Sequence, residues 1–316
     1  RTKTRVWKWK EEVIEEVKEI KYLGYTLQKN GGTEKYIKER IKKATVAMKR
    51  TWSIGERIFR DNFERRTKMF NTLVDSIALY GAEVWCWQND NRLDGIKRKY
   101  MKWILKLDWR TPNYILTEET KMEEIKVKAI RRAVKGEEES KWEKKRREVL
   151  ERTEMSKEQV RREREIRNQR VAEEFMKRIE RRETEGRQVK INESRYNDNY
   201  KNIRTEGLPK YLKGKKKMKD RSLIARFRCG NETKGDQYWR EDEERRCRIC
   251  HGAEENMTHI LKECEKTKSE MRAEEFIGEE GLKIMKRIEK ARREAEERER
   301  GNKNENPSLL VASHTN

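Results

Sequence analysis

Apolar positions along this chain change their period twice. Val6-Trp7-Lys8-Trp9-Lys10 alternates every second residue and puts two tryptophans on one face, which predicts a short strand. After an acidic stretch comes Ile20-Lys21-Tyr22-Leu23-Gly24-Tyr25-Thr26-Leu27. Its aromatic and β-branched residues predict a further strand, ended by Asn30-Gly31-Gly32. From Thr33, a residue suited to capping, the spacing turns helical: Ile37, Ile41, Ala44, Met48 and Trp52 recur at i, i+4, i+7, i+11 and i+15. Phe63, Phe70, Leu73, Val74, Ile77 and Tyr80 predict a second helix, and Leu93, Ile96, Tyr100, Trp103 and Ile104 a third. Trp109-Arg110-Thr111-Pro112 reads as a break, and Thr117-Glu118-Glu119 as the start of a fourth helix reaching about Val134. Residues 1–32 are thus expected to form a β-hairpin and residues 33–135 a helical bundle.

The texture alters at Gly136. Residues 136–190 are dominated by Glu, Lys and Arg, with a capping-box pair at Ser156 and Gln159 and a thin stripe of Val160, Val171, Phe175 and Ile179. This pattern predicts a connector of long, mostly exposed helix, a solvated spacer with no binding role of its own. Residues 191–266 regain aromatics at Tyr196, Tyr200, Tyr211, Phe227, Tyr238 and Trp239 and hold most of the cysteines. Residues 267–300 predict a charged helix around Leu282, Met285 and Ile288, and residues 301–316 a disordered tail. The expected fold class is mainly α: an N-terminal β-hairpin with a helical bundle, a charged helical connector and a small metal-binding C-terminal module.

Composition sharpens the functional side. Charged residues are 44% of the chain and hydrophobic ones 33%, against about 25% and about 45–50% in ordinary globular proteins. Lys and Arg outnumber Asp and Glu by 81 to 59, a formal charge of +22, which favours polyanionic partners. A membrane is not expected as a partner, because the longest apolar stretch, Leu79 to Trp87 with Glu83 inside it, falls far short of the ~20 residues that a span needs. Five cysteines in 316 residues do not make a disulfide scaffold, and no secretory leader pattern opens the chain, so a reducing, intracellular setting is expected. The chain starts at Arg1 and reads as a fragment.

The strongest local signal is Cys247-x2-Cys250-x8-His259-x4-Cys264. Tetrahedral zinc takes four such ligands, and a C-x2-C pair supplies two thiolates from one tight turn. With all four positions filled by protein the site would be structural. Arg245, Arg246 and Arg248 would help keep the thiols ionised. His251 is adjacent to Cys250 and awkward as a further ligand, while Cys86 and Cys229 read as packing thiols.

A second signal interleaves cations with aromatic residues. Lys213, Lys215, Lys216, Lys217 and Lys219 precede Arg226, Phe227 and Arg228. Such cations neutralise phosphates and such rings stack on unpaired bases, although a solubilising loop and a buried Phe227 would give the same pattern. Catalytic constellations are missing: three histidines offer no Ser–His–Asp or Cys–His site, and neither paired metal-binding aspartates nor a P-loop is present.

Several of these residues resemble the reverse transcriptases of non-LTR (LINE-type) retrotransposons, of the insect kind. The resemblance rests on Tyr22-Leu23-Gly24 before a helical bundle, on Tyr80-Gly81-Ala82-Glu83-Val84-Trp85, Asp108-Trp109-Arg110-Thr111-Pro112 and Ala225-Arg226-Phe227-Arg228-Cys229-Gly230-Asn231, and on the Cys/His spacing. It spans residues from about 6 to 264. It implies that Tyr22, Leu23 and Gly24 belong to a primer grip, that the bundle is a thumb, and that the zinc knuckle touches nucleic acid. The implied partners are RNA and DNA, with the polymerase portion upstream in the same polyprotein, and the implied site of action is the nucleus. The palm, with its aspartates and magnesium, is missing from this sequence, so no polymerisation by the chain alone is expected. Two other readings remain open: a stand-alone zinc-containing RNA- or DNA-binding regulator, and a helical scaffold for a protein partner.

Overall fold

The computed structural model describes residues 7–87, 90–135, 169–195, 198–203 and 205–305. The greater part of the charged connector, with Ser156, Gln159 and Val160, lies outside the described residues, as do Tyr196 and the tail beyond Glu305. The chain is mainly helical, with two small antiparallel strand pairs at its N-terminal end.

Strands β1 (Trp7–Trp9) and β2 (Glu12–Ile14) pair with Trp7 opposite Ile14 and Trp9 opposite Glu12. Strands β3 (Glu19–Tyr22) and β4 (Tyr25–Gln28) form the second pair, with Tyr22 opposite Tyr25. Residues 20–27 were expected as one strand, and the structure corrects this to a hairpin. Leu23 and Gly24 form its two-residue loop, both at positive φ (45° and 76°), as a type I′ turn requires. Aromatic and β-branched content reports extended backbone on either side of a turn but cannot show the turn itself.

Helices follow in the order α1 (Glu34–Ile58), α2 (Phe63–Leu73), α3 (Asp75–Ala78), α4 (Ala82–Trp85), α5 (Arg92–Leu105), α6 (Asn113–Thr120) and α7 (Ile125–Lys135). Helix α8 covers Gln169–Asn192, α9 Asp198–Ile203, α10 Met218–Arg228, α11 Ala273–Phe276 and α12 Leu282–Glu305. The helix expected from Thr117 to Val134 is two helices. Lys121 takes φ 48° after α6 and breaks it, and the Asp94 carboxylate then starts α7 by accepting the N–H groups of Ile125 (2.5 Å) and Lys126 (3.3 Å).

Two compact units result, one from residues 1–51, 70–96 and 124–179, the other from residues 52–69, 97–123 and 180–316. The core of the first unit includes Tyr36, Ile37, Ala44, Met48, Val74, Trp85 and Ile125. Its hairpin β3–β4 is clamped by aromatics: Tyr25 stacks on Tyr36 at 3.9 Å, the Tyr36 hydroxyl donates to the Tyr80 carbonyl at 2.6 Å, and the Tyr80 hydroxyl donates to the Leu23 carbonyl. The Arg40 guanidinium lies 4.9 Å from both the Tyr36 and Tyr80 rings.

The second unit is built around a buried charge. The Glu119 carboxylate, on α6, receives the Tyr200 hydroxyl (2.9 Å), the Tyr211 hydroxyl (2.5 Å) and two nitrogens of Arg228 (2.5 and 3.2 Å). Arg228 also donates to the carbonyls of Ile203 and Ile277. A burial this deep is tolerable only because the charge is both paired and hydrogen-bonded. The same unit buries Arg221, which donates to the Arg60 carbonyl at 2.7 Å; burial, and after it the nearby Arg66, lower its pKa to about 10.

Candidate metal centre

The cysteine segment folds back on itself through backbone bonds. Cys247 donates its N–H to the Ala253 carbonyl at 2.8 Å, and His251 donates to the Cys247 carbonyl at 3.0 Å. His251 adopts φ 57°, the left-handed conformation that reverses the chain just past Cys250. The loop so formed aims both thiols to the same side. Ile249 and Cys250 offer backbone N–H groups to the Cys247 sulfur, and Gly252 offers one to the Cys250 sulfur.

The other two ligand candidates come from the helical turn that starts at Met257 and becomes a π-helix over His259–Glu263. In an α-helix, residues five apart are about 140° apart around the axis. Here the Cys264 N–H bonds to the His259 carbonyl at 2.8 Å, the i→i+5 step of a π-turn, which brings the two side chains to one side.

The Cys247, Cys250 and Cys264 sulfurs and a His259 ring nitrogen all lie within 4.8 Å of one another. Cys250 Sγ is 3.2 Å from His259 Nε2, while His259 Nδ1 meets the Glu263 carboxylate at 3.1 Å. A carboxylate on Nδ1 fixes the ring and leaves Nε2 for a metal, the usual arrangement behind a metal-bound histidine. Cys247, Cys264 and His259 are buried and Cys250 is exposed. Burial pushes the Cys247 thiol up to about 11. For Cys250 burial acts in the same sense, but the Gly252 N–H, the Cys247 thiol and His259 outweigh it and bring the pKa down to about 7. These four residues can therefore hold a metal ion.

Arginines were expected to keep the thiols ionised, and the structure gives them another part. Arg248 binds the buried Glu255 through two nitrogens (2.5 and 3.0 Å to its carboxylate) and reaches the Glu232 carbonyl. Arg292, from α12, spans the same two acids, Glu232 at 2.6 Å and Glu255 at 2.8 Å. Arg245 donates to the Arg240 carbonyl, and the exposed Arg246 to the His251 carbonyl. The cysteine loop is thereby fastened to the C-terminal helix, whose Ala291 packs on Cys247, Ile249 and Cys264. His251 stands outside the cluster, exposed, and pairs with Glu299 at 2.9 Å. Cys86 and Cys229 are buried free thiols.

The residues proposed from sequence for nucleic-acid contact fall into two sets. Lys213, Lys215, Lys217 and Lys219 are exposed, whereas Lys216 is half-buried and bound to Glu279 at 2.6 Å. Their backbone is strapped to residues 61–64: Lys216 N–H to the Asp61 carbonyl (2.9 Å), Met218 N–H to the Asp61 carboxylate (2.8 Å) and Gly214 N–H to Glu64 (2.8 Å). The segment Arg226–Arg228 is corrected. Phe227 is 2% exposed and packs edge-on against Phe276 at 5.1 Å, Arg228 is spent on Glu119, and Arg226 pairs with Glu232. The acid that takes Arg228 lies 109 residues away in sequence, which is why local composition could not reveal it. Tyr22, Leu23 and Gly24 sit at the exposed tip of the second hairpin, with Leu23 75% exposed.

One surface went unnoticed in sequence: Trp109 and Arg110 beside Tyr238 and Trp239. Its two halves are more than a hundred residues apart, so only the folded chain brings them together. Comparison with protein-family models, with curated proteins and with solved structures gave no match to this chain.

Proposed function

We propose that this chain binds nucleic acid through a scaffold stapled by a structural zinc ion, as the primer-grip, thumb and zinc-knuckle portion of a LINE-type reverse transcriptase. The observation that carries the reading is the closed Cys247–Cys250–His259–Cys264 cluster in a chain of charge +22. Zinc suits three thiols and an imidazole. Zn–S bonds of about 2.3 Å and Zn–N bonds of about 2.0–2.1 Å ask for ligand atoms roughly 4 Å apart, close to the spacing present. Tyr22, Leu23 and Gly24 would meet the primer end, and the exposed lysines of 213–219 would neutralise phosphates. Magnesium would belong to the palm, upstream in the same polyprotein. The expected partners are RNA and DNA at a nuclear target; among the described residues no helix is long and apolar enough to cross a membrane.

The decisive experiment is a salt titration of binding to an RNA–DNA hybrid. A log-linear fall in affinity, with a slope of roughly 0.7–0.9 per neutralised phosphate, is expected. Absence of binding at low salt would leave a protein-interaction scaffold as the better reading. A specific observation favours that alternative: Trp7, Trp9, Val13 and Ile14 on the first hairpin are all exposed.

A further inference from the structure

We propose that the surface formed by Trp109, Arg110, Tyr238 and Trp239 is a stacking platform for an unpaired base of single-stranded nucleic acid, with Lys234 and Arg240 beside it to bind phosphate. The inference rests on the nucleic-acid reading above and assigns it a place on the protein and a strand type.

Geometry comes first. The Arg110 guanidinium lies 4.9 Å from the Trp109 ring and 5.7 Å from the Trp239 ring, a cation between two indoles. Tyr238 crosses Trp239 edge-on at 5.1 Å and donates its hydroxyl to the Arg110 carbonyl at 3.0 Å. Trp109 is 74% exposed and Tyr238 45%.

Exposure here does not come from a loose loop. The backbone around Trp109 is held from several directions. Lys102 donates to the carbonyls of Trp109 (2.7 Å) and Thr111 (2.6 Å), and the Asn231 side chain accepts the Asp108 N–H (2.7 Å). The Thr111 hydroxyl lies 2.9 Å from that same Asn231 oxygen, and the Asp108 carboxylate accepts the Arg110 N–H at 2.7 Å. A fixed backbone therefore holds a large apolar ring out in water, which is the preorganised form of a binding surface. Flat rings alternating with a guanidinium suit the face of a base, since every base has a π-face and the stack tolerates any sequence.

Charge selects the same ligand. The loop 234–240 that carries Tyr238 and Trp239 also lines a cavity of about 450 Å³ with Lys234, Gln237 and Arg240, and Arg248, held by Glu255, lines it as well. Glu296 and Glu299 line it too, the latter paired with His251, and Arg240 lies 3.6 Å from Glu244. Lys234 and Arg240 are the cations next to the platform by chain position. Burial lowers the Lys234 pKa, and Arg248 and Arg240 lower it further while Glu255 and Glu244 raise it. A phosphate placed there would meet Lys234 and Arg240, and its base would reach the adjoining rings. A duplex keeps the faces of its bases stacked inside and offers none to such a platform.

The test is fluorescence anisotropy with a short fluorescein-labelled oligo(dT), and with the same strand annealed to its complement, on the full chain. Trp109→Ala should weaken oligo(dT) binding roughly 5- to 150-fold at unchanged salt slope, leave duplex binding alone, and leave the thermal melt where it was because the side chain is exposed. Trp109→Phe should restore part of the affinity. Lys234→Gln combined with Arg240→Gln should instead flatten the slope by roughly 0.7 for each phosphate no longer neutralised. Oligo(dT) binding indifferent to Trp109→Ala, or abolished only when Lys215, Lys217 and Lys219 are neutralised, overturns the platform while nucleic-acid binding stands. Equal weakening for oligo(dT) and duplex overturns the single-strand assignment. No binding by the unaltered chain at low salt overturns this inference and the reading beneath it together.

Discussion

Cys264 and His259 are joined through the backbone, the N–H of the first donating to the carbonyl of the second at 2.8 Å, and this one π-turn brings together two side chains that an α-helix would turn apart. Inserting one alanine after the exposed Lys262 lengthens the step to six residues, which lie about 120° apart around an α-helix. All four ligands remain in such a variant, yet it should lose metal, whereas Lys262→Ala should keep it. Metal content of the purified proteins decides the matter, and equal content in both would refute the role of the turn.

Metal removal should act locally. Structural zinc is worth on the order of 10–16 kcal/mol to small zinc-binding peptides, far more than a loop of this size can draw from Cys247, Ile249 and Cys264 alone. A chelator, or Cys250→Ser, should melt residues 247–264 while the unit holding Tyr36 and Trp85 persists. Hydrogen exchange resolved along the chain reads both regions in one experiment.

The Glu119 network should be the costliest to break. Glu119→Ala strands the buried Arg228 and orphans two tyrosine hydroxyls, a loss of about 3–5 kcal/mol. Tyr200 and Tyr211 both have their pKa raised well above the ordinary 10, by burial first and then by Glu119. A folded pKa above the unfolded one gives stability that is complete below pH 10 and lost as pH rises past it. Denaturant midpoints should therefore fall steeply above pH 10, and Tyr211→Phe, already less stable at pH 7 for want of its bond to Glu119, should fall less.

Much of this architecture was legible in the chain. Helix α1 follows from the spacing of Ile37, Ala44 and Met48, and the C-x2-C pair and its His and Cys partners assemble as their spacing implies. What escaped has a common cause. Thr117-Glu118-Glu119 looks like a helix start because acids suit a first turn, yet Glu119 is drawn into the core by Tyr200, Tyr211 and Arg228, 81 to 109 residues later. Arg228 looks like a nucleic-acid contact for the same reason, since an arginine reads as surface until its acid is located. Pairings over such distances leave no periodic trace.

Arg292 makes a further test of how the cysteine loop is held. Its side chain is buried and binds both Glu232 and Glu255, and Glu255 is bound by Arg248 as well. Arg292→Ala leaves two acids short of a partner and should destabilise the C-terminal unit by roughly 3 kcal/mol or more. Thermal melts of the metal-loaded chain supply the number. Unchanged exchange protection at Cys247 and Glu255 in this variant would show that the bound metal alone holds the loop.

Leu23 occupies a backbone position that asparagine would fill at lower energy. At φ 45° in a two-residue turn its β-carbon crowds the chain, a cost of about 1–2 kcal/mol for an ordinary residue. The side chain gains little packing in return, being 75% exposed. Gly24, at φ 76° against the Tyr80 ring, is the residue such a turn wants. Leu23→Asn should therefore raise stability by up to about 1 kcal/mol, and Gly24→Ala should lower it by about the same amount. If Leu23 is retained because its exposed apolar side chain meets the primer end, the stabilised Leu23→Asn protein will bind an RNA–DNA hybrid more weakly than the unaltered chain. Thermal melting and hybrid affinity measured on the one variant separate the two effects. A gain in stability with no change in affinity would remove Leu23 from the proposed primer grip.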